Sequence, residues 1–386
     1  FTASDVSSGA LQDFVNAQVT APLDIQALSA TGRDGDFLIA KAAYSLRSLG
    51  TRQATVSATG DTVARADGKY VAQVRRNVDG NLKSFTATEV TDGTLLSFVN
   101  ESFTSSLPLD VQGSAAAAYS LRNLSSSYSG NVVEVRRSSD DTTQNFTATE
   151  VTDGTLLAFV GTSGSDNGFV KTWYDQSGNS NNAVQSTASK QPKIVSAGAL
   201  LNELDFDGTD DTLDIDFGAD LSQASSFFIV HQSDTTTASS NEFFDSASSA
   251  SPRTLLDQLG SDYRMFSGST SAGTGVAITT DKSLIFALYN GSSSLFAKNG
   301  TATSALNAGT TDIKQNSTIG SSNTQFYDGS MQEFIIYNTD QTDNRTAIEA
   351  SIATANGITL GSFNRDGFVK TWYDQSVTTQ AGDTAT

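Results

Sequence analysis

Carboxylates dominate the groups in this chain that could do chemistry. Its 386 residues include 42 acidic side chains, one histidine (His231) and no cysteine. Zero cysteine removes thiolate nucleophiles, disulfides and sulfur-ligated metals. A single imidazole makes neither a Ser–His–Asp relay nor a multi-histidine metal centre a natural reading. Acid–base work would fall to Asp and Glu. Two carboxyls that cleave a sugar bond must stand about 5–5.5 Å apart for retention, or roughly 6.5–9.5 Å for inversion. The acidic residues in the relevant part of the chain are Glu242, Asp245, Asp257, Asp262 and Glu333. No motif singles out two of them, and solvated carboxylates on turns explain the same residues. No catalytic pair is assigned, and the chain is expected not to be an enzyme.

A second acidic group is denser. Asp207, Asp210 and Asp211, followed by Asp214 and Asp216, surround Gly208. Closely spaced oxygen ligands suit Ca²⁺, which would also relieve their mutual repulsion. The spacing is not that of an EF-hand loop, and an Asx-type turn entering a strand accounts for the same pattern. No other cofactor is implied. For contact with a sugar ring the candidates are Tyr263, Phe266, Tyr289 and Phe296, which fall near strand ends where loops carry function. Inner-face core positions are the competing reading for all four. His231 closes an apolar run and reads as structural.

The tryptophans point to architecture. Trp173 and Trp372 lie in two copies of one decapeptide, Gly168–Ser177 and Gly367–Ser376. Phe85–Leu96 likewise recurs unchanged as Phe146–Leu157, and Phe1–Val6 opens a looser copy. Ahead of the complete copies stands Ala-Ala-Tyr-Ser-Leu-Arg, at 42–47 and 117–122, and between them Val-Arg-Arg, at 74–76 and 135–137. The unit reads as helix (AYSLR), strand (VRR), strand (FTATEV) and short helix (TDGTLL), with Asp92 and Asp153 as N-caps. Such self-similarity implies duplication of small units that share cores with their neighbours. The chain opens inside a repeat, and we expect a segment of a longer tandem protein.

From Asn167 the pattern changes to short strands between Ser/Thr/Gly/Asn turns, which predicts an antiparallel sandwich. Phe206, Phe228, Ile229, Phe286, Phe334 and Ile336 are its expected core. A helix over 343–355 closes the region, with Asn356-Gly357 as its C-cap. The expected organisation is the end of a truncated repeat (1–16), repeat unit 1 (17–100), repeat unit 2 (101–166), the sandwich (167–360) and the start of a further unit (361–386). The tail decapeptide cannot stand alone in water, so it should pack as a strand in a setting like that of its twin.

Bulk properties narrow the partners. A formal net charge of −19 repels phosphate backbones and argues against nucleic acid. No run approaches 18 apolar residues, so no membrane-spanning helix is expected. The 37% hydrophobic content is enough to fill real cores.

Two sets of residues also carry a resemblance. Leu204–Asp211, Phe227–Val230 and Met331–Tyr337 before a helix ending Asn356-Gly357-Ile358 resemble the laminin-G/concanavalin A-like jelly roll. Ala118–Arg122, Tyr128–Val133, Val135–Asp140 and Trp173–Gly178 resemble the catalytic-domain family of fungal α-L-arabinofuranosidase B. The same motif set is similar to virion appendage proteins of marine bacteriophages. The resemblance implies a mainly β chain: a concanavalin A-like antiparallel jelly roll preceded by small duplicated α+β units. The family's adjacent cysteine pair at the sugar-binding wall is absent here, and none of the acidic residues aligns with its nucleophile or acid. The leading expectation is a structural and adhesive virion appendage, a phage fibre or tail protein, whose lectin-like domain meets host surface glycan on the outside of the particle. Its partners would be copies of itself, as a homotrimer if it is a fibre, and other virion proteins. An arabinofuranosidase-type hydrolase and a bacterial surface adhesin or filament subunit are the alternatives.

Overall fold

The computed structural model describes residues 70–76, 82–100, 106–236, 238–246, 252–268, 270–322, 324–361, 367–373 and 384–385. The opening partial repeat, the first AYSLR segment and the linker before Tyr70 lie outside them. The chain divides into two compact units, one formed by Phe1–Phe103 with Asn364–Thr386 and the other by Thr104–Phe363.

The first unit begins with β1 (Tyr70–Arg76), β2 (Leu82–Thr86), α1 (Ala87–Thr91) and α2 (Thr94–Asn100). The second opens with α3 (Pro108–Val111), β3 (Ala117–Ser120), β4 (Asn131–Arg137), β5 (Thr143–Thr147), α4 (Ala148–Thr152) and α5 (Thr155–Val160). Strands β6 (Gly168–Trp173), β7 (Ala183–Val184), β8 (Lys193–Ser196), β9 (Ala199–Asp207) and β10 (Leu213–Asp216) follow. Then come β11 (Ser225–Ser233), β12 (Ala238–Asp245), β13 (Thr254–Gly260), β14 (Asp262–Ser267) and β15 (Thr270–Ala277). The run ends with β16 (Ser283–Tyr289), β17 (Leu295–Lys298), β18 (Thr301–Ala302), β19 (Asn316–Ile319), β20 (Ser321–Ser322), β21 (Gln325–Phe326), β22 (Asp328–Tyr337) and α6 (Arg345–Asn356). Finally β23 (Gly367–Tyr373) and β24 (Thr384–Ala385) return to the first unit, where the sheet order is β2-β1-β23-β24.

The second unit is an antiparallel sandwich. In one layer β22 pairs with β11, β11 with β16 and β16 with β17, while β3 and β9 share the other edge of β22. The other layer runs β5-β4-β6-β7-β10-β19-β12-β13-β14-β15. Between the layers lies one apolar core that includes Val133, Val170, Trp173, Phe206, Phe227, Ile229, Phe334 and Ile336. Residues from the second repeat and from the region beyond 167 thus share a single core. A second cluster, with Phe228, Phe286, Ile335, Ile348 and Ile352, fills the space between β11, β16, β22 and α6. All six residues expected in the core are fully buried. Both faces of β11 are covered, and this fits a continuous apolar run better than an alternating one.

In its described copy AYSLR is not a helix. Ala117–Ser120 forms β3 and pairs with β22, so that Tyr119 lies opposite Phe334 and Ala118 opposite Ile335. Residues 115–121 are all buried. A short apolar run enclosed on every side has no polar face from which its period could be read. The repeat's helical part also starts earlier than expected. FTATEV is strand only to its first threonine, after which Thr147 and Glu150 form a capping box, as do Thr86 and Glu89. In each box the Thr hydroxyl accepts the Glu backbone N–H, and the Glu carboxylate accepts the Thr N–H. Asp92 and Asp153 do cap backbone, accepting the N–H groups of Thr94 and Thr155 at 2.8 and 2.9 Å. The closing helix appears as expected, ended by Gly357 in the left-handed region at φ 66°.

Candidate functional site

Alternation along β10 creates the site. Leu213 and Ile215 enter the core, which leaves Asp214 and Asp216 on the outer face of the second layer. Across the ladder Asp214 meets Thr318 of β19 on one side and Val184 of β7 on the other, and Asp216 meets Asn316. With Asn182 and Ser317 these residues line an open groove of about 470 Å³. Asp216 accepts the Gly218 N–H and the Gln315 side-chain amide at 2.8 and 2.9 Å, which lowers its pKa. Asp214 shifts upward because its carboxyl is partly desolvated, with Lys190 opposing. The groove therefore offers carboxylate acceptors, the amides of Asn182 and Asn316, hydroxyls and the apolar side chain of Val184, with Ile215 beneath.

The same layer continues into charged pairs. Asp245 lies across from Thr318 and is held by Arg253 Nη1 at 2.7 Å, while that nitrogen also donates to Ser322 Oγ at 2.9 Å. On the next strand pair Glu242 is directly opposite Asp257, and Asp257 is directly opposite Arg264. Arg264 Nε donates to Asp257 Oδ1 at 2.8 Å, and a second contact joins Nη2 to Oδ2. The carboxylates are buried and the arginines partly exposed. Four of the five acidic residues considered from sequence thus lie on the neighbouring strands β12, β13 and β14. Glu242 and Asp257 start from backbone positions whose Cβ atoms sit about 4.5–5.5 Å apart. Asp262 lies at the head of β14, and Glu333 is taken up elsewhere by Arg122 at 2.6 and 3.0 Å and by Asn356.

The candidate aromatic residues divide. Tyr263, Tyr289 and Phe296 are fully buried, so they offer a ligand no face. Their inward positions on β14, β16 and β17 follow from strand parity. Tyr289 donates to the Leu255 carbonyl at 2.7 Å, and Tyr263 stacks near Phe296. Phe266, one pleat along from Arg264, keeps partial exposure. His231 sits between two of the phenols, 2.8 Å from Tyr263 and 3.0 Å from Tyr327. Tyr327 donates its proton to the Gln232 carbonyl, so it accepts from His231 Nδ1–H and leaves Nε2 to accept from Tyr263. Burial drives the imidazole pKa down to about 3, which keeps it neutral.

Asp207, Asp210 and Asp211 do converge: one oxygen of each lies within 4.8 Å of the others. Asp207 Oδ1 accepts the Thr209 N–H at 2.8 Å, and Asp211 Oδ2 accepts the Asp207 N–H at 3.1 Å. Burial, then the charge of Asp207, lifts the Asp211 carboxyl to about 7. The cluster can retain a proton near neutrality or take a hard cation.

The decapeptide's polar end acts as a clamp. Asp175 accepts the N–H groups of Ala118, Ser177 and Asn181, while Gln176 bridges Leu124 N–H and the carbonyls of Ser120 and Arg122. These residues fix β3 against Trp173, whose ring lies 5.6 Å from that of Tyr119. The groove itself was missed from sequence, although the alternation Leu-Asp-Ile-Asp of β10 carried the signal for its acidic wall.

No family model matches the chain, and no curated protein matches it. Solved structures match it at low similarity. An arabinofuranosidase complexed with arabinofuranosyl-α-1,2-xylobiose matches at 15% identity and TM-score 0.47, over 64% of this chain and 64% of that one. A GH54 α-L-arabinofuranosidase soaked with a cyclic sulfate inhibitor gives 15% and 0.47 over 66% of each. Trypanosoma rangeli sialidase gives 14% and 0.37 over 49% of this chain and 32% of its own. The chain spans just under two thirds of the first of these. The expectation of a non-enzyme is corrected by this set, which consists of glycoside hydrolases. At such identities and TM-scores the likeness assigns neither a family nor a reaction to this chain.

Proposed function

We propose that the second unit binds carbohydrate in the groove between β7, β10 and β19, within a repeat-built appendage that meets cell-surface glycan. The observation that carries this reading is the groove's composition. Asp214 and Asp216 can each accept from vicinal hydroxyls, the Asn182 and Asn316 amides both donate and accept, and Val184 offers an apolar contact for a ring face. At about 470 Å³ the groove falls inside the range of roughly 300–1,000 Å³ common for small-ligand sites. Its openness suits one or two residues of a longer chain better than an enclosed small molecule. The tandem repeats, the lack of cysteine and the resemblance of the motif set to phage appendage proteins are what favour placement on the exterior of a virion, built from several copies.

Titration with arabinofuranosyl and sialyl oligosaccharides, followed by calorimetry and by release of reducing sugar, tests the proposal. We expect saturable binding that Asp214→Ala weakens about tenfold or more, the loss of one charged hydrogen bond. Absence of binding to any glycan, or binding indifferent to both Asp214→Ala and Asn316→Ala, would contradict it. The sugar-release arm reports separately whether bound glycan is cleaved.

A further inference from the structure

The first unit owes its third strand to the far end of the chain. β23 pairs with β1 as Ala72–Trp372, Gln73–Thr371, Val74–Val369, Arg75–Phe368 and Arg76–Gly367. In the second unit β6 pairs with β4 as Val133–Trp173, Glu134–Thr172, Val135–Val170, Arg136–Phe169 and Arg137–Gly168. The two ladders match position for position, including the one-residue slip at the lysine. Within the duplicated unit, then, residues 104–363 are an insertion, and the strand that should follow α2 arrives only after it.

The ladders match but the enclosures do not. Val170 and Trp173 are fully buried, whereas Val369 is 54% and Trp372 39% exposed. β23 is therefore joined to β1 by the same ladder as its twin but with these two side chains less enclosed. An element held in this way resembles an added strand more than a core strand. The edge of β1 pairs with Gly367–Tyr373 in this register, and every copy of the chain carries the same segment.

We propose that β23 is exchangeable, so that the edge of β1 is a docking site for the C-terminal strand of a second copy. Donor strand and acceptor edge are different surfaces, so one-way exchange runs head to tail into a ring or filament, while reciprocal exchange between two copies closes as a twofold swapped dimer. With β23 withdrawn, β1 would become an open sheet edge that must be covered, and a neighbour's β23 covers it as well as the chain's own. The inference does not depend on the glycan reading.

The chain has no cysteine, so engineered pairs report the partner directly. Gln73 and Thr371 are opposed in the ladder. The double variant Gln73→Cys/Thr371→Cys should form its disulfide, both within single chains and between chains as a ladder of multiples of 40.5 kDa on a non-reducing gel. Mixing the two single variants should give a cross-linked heterodimer several-fold above that from a control mixture of Gln73→Cys with Ser304→Cys. An excess of the free decapeptide should suppress it, while the same peptide with proline in place of its threonine should not. Heterodimer no more abundant than the control, with the double variant closing only within single chains, would overturn exchange. Failure of the double variant to form any disulfide would overturn the pairing itself.

Discussion

The same ten residues occupy two settings in this molecule. As Gly168–Ser177 they form a strand whose valine and tryptophan are sealed between two sheets; as Gly367–Ser376 their strand makes the same pairing with both side chains partly in water. The helical parts of the repeat show the same gradation: Val151 and Leu156 are buried, and their counterparts Val90 and Leu95 only partly so. Identical sequence thus yields an identical ladder and identical caps, because register, bulge and capping box are decided by neighbours in the strand pair and in the turn. Burial is decided by what lies over the sheet. This separates the local from the tertiary contribution within one chain.

The largest test of that contrast is truncation of the two tryptophans. Trp173→Ala removes a fully enclosed ring and should cost the second unit about 3–5 kcal/mol, as large-to-small core changes do. Trp372→Ala should cost the first unit only about 1 kcal/mol. Denaturant titration followed by probes in each unit reads both effects. Equal losses would show that exposure does not distinguish the settings.

A smaller effect confines itself to the second unit and sharpens the comparison through pH. Asp211 and Glu349 both have carboxyls lifted to about 7, chiefly by burial. A folded-state pKa above the unfolded value means that the folded chain holds the extra proton. Their contribution is therefore fully present below about pH 4 and lost as pH rises through 7. The second unit should gain roughly 1–2 kcal/mol per group between pH 8 and pH 5, and Asp211→Asn with Glu349→Gln should flatten the profile. Ca²⁺ bound by Asp207, Asp210 and Asp211 would hold Asp211 ionised and abolish its share, so repeating the titration with calcium and with chelator tests the cation reading. A profile that rises with pH would contradict the assigned burial of both carboxyls.

Much of the architecture was legible because period and turn chemistry agree. Ser283–Tyr289 forms one of the short apolar strands that the region beyond Asn167 predicts, and Gly357 ends α6 where a C-cap was expected. Strands β12 to β15 were not legible. Asn241, Glu242, Asp245, Asp257, Gln258 and Arg264 lie among them, and polar residues that find partners only across the sheet look like turns in a linear reading. The site suffered for the same reason. Tyr263 and Tyr289 drew notice as aromatic residues near loops, yet parity turns them inward. Asp214 and Asp216, grouped at first with the metal-like cluster, belong to a groove whose opposite wall comes from β19, about a hundred residues on. Chemistry assembled across a sheet leaves little trace along the chain, whereas Thr147 to Glu150 carries its capping box in four consecutive letters.

Amide hydrogen exchange resolved along the two decapeptides tests the central contrast most directly. The account predicts that the amides of 168–173 exchange only through global unfolding of the second unit, while those of 367–373 exchange through a local opening that releases β23 and requires far less free energy. Protection of the two segments to the same extent would contradict it, because the tail strand would then be as firmly enclosed as its twin and not free to change partners.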